Sequence, residues 1–112
     1  MECNVNIEAG ITNCGGSEEF FIEIIQEFEN EGTVEVLKKA FEDKDWKTYE
    51  INVHSLKGNM NLFGATDAGR LAEKLQYAAE AGEAETIERL HGLLLEMIDS
   101  SMTLIKQKMN MI

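Results

Sequence analysis

The stretch YEINVHSLKGNMNLF, Tyr49 to Phe63, decides the fold. Within it Tyr49, Val53, Leu56, Met60 and Phe63 recur at intervals of four, three, four and three residues. That spacing lines one face of an α-helix with apolar side chains and leaves the other face polar. The polar turn Asp43-Lys44-Asp45 precedes it, with Asp45 suited to cap the helix start, and Gly64 follows as a stop. A helix with one apolar face needs neighbours to cover it, and the flanking sequence supplies them.

Downstream, Thr66 or Asp67 is expected to cap a second helix whose inward face is Ala68, Leu71, Ala72, Leu75 and Ala79, ending at Gly82. A last helix then runs from about Ala84 to Met109, with Ile87, Leu90, Leu94, Met97, Ile98 and Ile105 facing in. Its 26 residues, at about 1.5 Å each, reach nearly 40 Å. Upstream, Ser17 followed by Glu18 and Glu19 opens a helix bearing Phe21, Ile24, Ile25 and Phe28. The stripe then changes register to Val34, Leu37 and Phe41, a shift of roughly half a turn. Gly32-Thr33 marks that slip as a kink or a fresh start that Thr33 could cap, with helix continuing to about Glu42. Before the break NCGGS, Asn13 to Ser17, a short segment begins near Asn6.

Short connections between long amphipathic helices make neighbours antiparallel. The expected architecture is all-α. It is an antiparallel up-down four-helix bundle in a single domain, 1–112, with a kinked first arm, Ser17–Glu42, and a short N-terminal helix as a cap. The absence of proline agrees, since β-rich domains of this size usually mark turns and edges with it.

Charge narrows the function. Ten Lys and Arg against 21 Asp and Glu give a formal net charge of −11, which disfavours nucleic acid, a partner held mainly through phosphate neutralisation. No apolar run approaches the roughly 20 residues that span a bilayer, and MECNVNIEAG carries no secretory signal pattern. A cytoplasmic chain without a membrane partner is expected. Cys3 and Cys14 lack any metal-ligand spacing and read as two free thiols.

Of the two histidines, His91 falls inside the apolar stripe of the last helix, where a core-edge histidine satisfied by a hydrogen bond is the expectation. His54 follows Val53 and falls off its own stripe, on the outward side with Gly58 and Asn61, flanked by Lys57. A neutral imidazole offers one free ring lone pair to an electrophile. Lys57 would offset negative charge arriving there, and Gly58 would let a partner surface come close.

The run His54-Ser55-Leu56-Lys57-Gly58 with Gly64-Ala65 beyond it resembles the signature of histidine-containing phosphotransfer (HPt) domains. Phe20-Phe21 through Phe28 is similar to that family's opening core helix, Asp45-Trp46 to the turn before its histidine helix, and Leu75-Gln76 to its Leu-Glu/Gln pair. The likeness extends from about Ile7 to Met109. It implies a phosphorelay intermediate of two-component signalling rather than an enzyme with its own ATP site. His54 would be the phosphoacceptor, receiving a phosphoryl group from a receiver-domain aspartyl phosphate or a histidine kinase and passing it to a response-regulator receiver. Lys57 would neutralise phosphoryl oxygens. The Mg²⁺ would belong to the receiver, so no metal or other cofactor is expected on this chain.

Gln76 stands where many members have Glu; its side-chain oxygen is expected to accept a hydrogen bond from one ring N–H of His54. A neutral amide there suits a receiver-to-receiver shuttle better than a chemotaxis-type kinase. Gly58, Asn61, Gly69 and Ser55 are candidate contacts for a receiver or for a histidine or hybrid kinase, with Glu50 on the same exposed side. Gly69, inside a helix, implies close approach either of a partner or of a neighbouring helix. A monomer is expected, because each stripe can be buried within one chain. Two other readings compete. One is a helical interaction module that binds a receiver or kinase without carrying phosphate. The other is a di-iron bundle, for which Glu88-Arg-Leu-His91 supplies the Glu-x-x-His motif once where two copies are required.

Overall fold

The computed structural model describes residues 4–111, and every regular element among them is a helix. In chain order these are α1 (Ile7–Asn13), α2 (Glu18–Glu31), α3 (Thr33–Glu42), α4 (Trp46–Leu62), α5 (Thr66–Glu80) and α6 (Ala84–Lys108). Their starts follow local chemistry. Asn6, Ser17 and Asp45 each accept a hydrogen bond from the backbone N–H three residues on, at 3.0, 3.1 and 3.2 Å.

At Gly32-Thr33 the outcome is the fresh start and not the kink, and two expected side-chain caps are absent. The first arm breaks into two helices, because Gly32 adopts φ 69° and serves at once as the end of α2 and the start of α3. A left-handed residue cannot continue a right-handed helix, so the change of register is a break rather than a bend. Thr33 is therefore the first residue of α3, buried, and caps nothing. Likewise α5 starts from Ala65 with no side-chain cap, so neither Thr66 nor Asp67 has that role.

α4 is the centre of the packing. Tyr49, Val53, Leu56, Met60 and Phe63 are all fully buried, each burial contributing on the order of 1.5–3 kcal/mol. α4 packs against both α3 and α5, and α6 packs against α5. The α4–α5 connection reverses the chain: as the numbering rises along α4 it falls along α5, Lys57 facing Glu73 and Asn61 facing Gly69. α6, 25 residues long, matches the 39 Å long dimension of the molecule. The inward face of α6 also takes in Ser101 and Met102, and Ala78 joins that of α5, whereas Leu71 stays half-buried.

α1 clamps the α4–α5 turn. The Asn6 N–H donates to the Gly64 carbonyl at 2.9 Å, and the Asn13 side-chain amide donates to the Leu62 carbonyl at 3.1 Å. Gly64 turns at φ 87°, and a Cβ there would collide with the Asn6 carbonyl. The turn thus requires glycine both for its conformation and for the clamp.

Candidate functional site

The two histidines occupy opposite environments. His91 is 6% exposed, its ring stacked on Phe41 with centroids 3.9 Å apart. Its Nδ1 lies 2.9 Å from the Tyr49 hydroxyl. Burial pushes the His91 pKa down, with a further push from the Lys38 charge, and burial raises that of the Tyr49 phenol. The phenol therefore keeps its proton and donates it to a neutral imidazole. One ring face and one nitrogen are committed to the core, so His91 is a packing residue.

His54 follows a buried Val53 onto the outer surface of α4 and is exposed. Its Nδ1 lies 3.1 Å from Gln76 Oε1 on α5. With the amide oxygen toward the ring, a neutral imidazole would hold its proton on Nδ1 and leave the Nε2 lone pair free. Gln76 Nε2 in turn donates to Glu80 Oε1 at 3.2 Å, one turn further along α5.

The remaining sequence candidates divide. Lys57 lies one turn beyond His54, its stem partly covered and its Nζ 4.0 Å from Glu73 Oε2. Gly58 lies four residues, about one turn, after His54 on α4, and a Cβ there would meet nothing within 4 Å. Ser55 is exposed, its hydroxyl donating to the Ile51 carbonyl at a long 3.5 Å, and sits about 100° further round α4 from His54. Glu50 is half-buried one turn before His54. Asn61 and Gly69 belong together: the Asn61 carboxamide lies where a Gly69 side chain would stand. Gly69 is buried beneath it, so its missing side chain serves helix packing. Of the two explanations for Gly69, a partner surface or a neighbouring helix, this contact favours the neighbouring helix.

Four residues at the site were not singled out from the sequence. Ile51 and Tyr77 are 58% and 57% exposed and put apolar surface on the outer faces of α4 and α5. Ile51 was findable as a large apolar residue off its stripe and three before His54. Glu73 and Glu80 join through Lys57 and Gln76, and the four-residue spacing of Gln76 and Glu80 was the available signal.

Among the described residues, no three His, Cys, Asp or Glu side chains gather as a metal would require. Glu88 of the di-iron motif instead lies 3.9 Å from Lys44. Cys14 is buried with a free thiol, its pKa raised by desolvation, while Cys3 lies outside the described residues. No helix among the described residues is long and apolar enough to cross a membrane.

No curated protein and no solved structure matches the chain. A family model does, that of the Hpt domain, over residues 23–102. The matched span runs from within α2 to within α6 and holds His54, Lys57, Gly58 and Gln76; α1, the start of α2 and the end of α6 lie outside it. The match takes in well over half of the sequence, and the chain belongs to the Hpt domain family, phosphotransfer modules of two-component signalling.

Proposed function

We propose that the protein is a phosphorelay intermediate with His54 as its phosphoacceptor. The observation that carries this reading is the exposed imidazole whose Nδ1 faces Gln76 Oε1 at 3.1 Å, because that contact leaves Nε2 unprotonated and open to an incoming phosphorus. In the transfer, the Nε2 lone pair forms the N–P bond while the P–O bond to a receiver aspartate breaks and the carboxylate leaves with the electron pair. The ring keeps its Nδ1 proton and becomes cationic, so the Gln76 carbonyl dipole supports the product. Lys57, within reach of the phosphoryl oxygens, neutralises charge as it passes between donor and acceptor; such a transfer depends mainly on positioning and electrostatics.

His54 stands exposed on α4 with Ile51 and Gly58 one turn either side of it, and Tyr77 is exposed beside Gln76 on α5, which suits the surface of a protein partner. That partner is a response-regulator receiver or a histidine or hybrid kinase, and the Mg²⁺ of the reaction sits in the receiver. The helices make an antiparallel up-down four-helix bundle, α2 and α3 forming one arm and α1 a cap; the reversed α4–α5 pairing and three-residue turns support this. A cytoplasmic monomer completes the reading.

The test incubates the protein with phosphorylated receivers and measures acid-labile, base-stable phosphate on it. His54→Gln must abolish the label while receiver binding persists. Label on the His54→Gln protein would transfer the role elsewhere.

A further inference from the structure

Gln76 presents a problem that a glutamate in its place would not. Its amide has two ends of nearly equal size, and only one orientation leaves Nε2 of His54 nucleophilic. With Oε1 toward the ring, Nδ1 holds the proton. With the amide turned over, the NH₂ would donate to Nδ1, the proton would move to Nε2, and the attacking lone pair would be lost.

We propose that Glu80 is a positioning residue that selects the productive orientation. Its carboxylate, 3.2 Å from Gln76 Nε2, accepts from the amide nitrogen. In the reversed orientation it would face Oε1, two acceptors without a proton between them. Both residues lie on α5 four positions apart, so their approach is built into the helix. The chain Glu80–Gln76–His54 therefore ends in a defined tautomer, much as outer hydrogen bonds fix the tautomer of a metal-bound histidine. It also places a negative charge behind the amide, where the ring becomes cationic on phosphorylation. The inference rests on His54 being the phosphoacceptor, but its primary readout does not.

The experiment records ¹⁵N shifts of the His54 ring nitrogens at a pH where the ring is neutral, in the full chain and in variants at this exposed position. The full chain should show the proton on Nδ1. Glu80→Lys, whose ammonium donates to Oε1 and turns the amide, should move it to Nε2. Glu80→Gln, whose amide can meet either end of Gln76, should give a mixture of the two tautomers, and Glu80→Asp, still only an acceptor, should keep the proton mainly on Nδ1. In a Gln76→Glu background the same Glu80→Lys change should leave the tautomer alone, because a carboxylate has no wrong end. Phosphoryl acceptance by Glu80→Lys should fall about tenfold, which is about 1.4 kcal/mol at the transition state. An unchanged tautomer in Glu80→Lys overturns the proposal, whatever the rate does. A reversed tautomer in a protein that never takes phosphate upholds the role of Glu80 while removing that of His54.

Discussion

Gly58 separates stability from function more sharply than any other position. It lies in the interior of α4, where glycine costs about 1 kcal/mol relative to alanine. Glycine inside a helix is often explained by a neighbour that would clash, but a Cβ at Gly58 meets nothing within 4 Å. Gly58→Ala should therefore stabilise the protein by about 0.8–1 kcal/mol. Part of that gain comes from restricting the unfolded chain. For a domain of this size it raises Tm by about 4 °C or more. Function should move the other way. A Cβ at position 58 stands about 5–6 Å from that of His54, inside the footprint of any surface that brings phosphorus to Nε2.

Gly58→Gln puts a longer, helix-favouring side chain there without adding apolar surface. Overfilling a packed contact costs about 1–3 kcal/mol, so kcat/KM for transfer from a phosphorylated receiver should drop roughly 5- to 150-fold. Thermal melts and stopped transfer reactions on the same preparations measure both effects. A less stable Gly58→Ala protein would show that the space above α4 is not open. Transfer by Gly58→Gln at the unsubstituted rate would refute the idea that a partner lies against this stretch of backbone.

Three further outcomes follow from particular contacts. Among the described residues Ser101 Oγ is buried without a hydrogen-bond partner, so Ser101→Ala should stabilise by about 1 kcal/mol in urea titrations. His91 has a depressed folded-state pKa against about 6.5 when unfolded. The stability this confers is present above about pH 6.5 and is lost as pH falls through the folded value, because the unfolded chain takes up the proton first. Urea midpoints from pH 7.5 down to 5.5 should fall, and His91→Gln should flatten that slope. Lys57 lies 4.0 Å from Glu73, a half-exposed pair worth at most about 1 kcal/mol. Glu73→Gln frees the ammonium and should shift phosphoryl partition toward this protein by up to about fivefold, less at high salt. Lys57→Gln should shift partition the opposite way.

The helices were legible because their signals are local. The stripe from Tyr49 to Phe63 predicted five residues that are all fully buried, and the caps Ser17 and Asp45 bond as their side-chain chemistry requires. What escaped depended on backbone angle or on a second helix. Gly32 and Thr33 left a kink and a fresh start open because sequence shows the change of stripe but not the sign of φ. Gly69 looked equally like a docking surface or a packing site until Asn61 was seen across from it. At the site, His54 and Lys57 stood out within one helix, whereas Glu73 and Glu80 acquire meaning only once α5 lies in register beside α4.

That register makes the Gly64 turn part of the site. His54 and Gln76 are 22 residues apart, and nothing in either helix alone brings them together. Their meeting is set at the far end of the hairpin. There Gly64 turns the chain, Asn6 and Asn13 hold the turn from α1, and Asn61 fills the notch at Gly69. One residue more or less in the turn would rotate α5 by about 100° and carry Gln76 away from the imidazole, with every apolar stripe displaced as well. The buried face and the reactive edge are thus fixed by the same pairing. This is why an exposed imidazole, which solvent would otherwise leave free to turn, can be held to a particular neighbour by a core it does not enter.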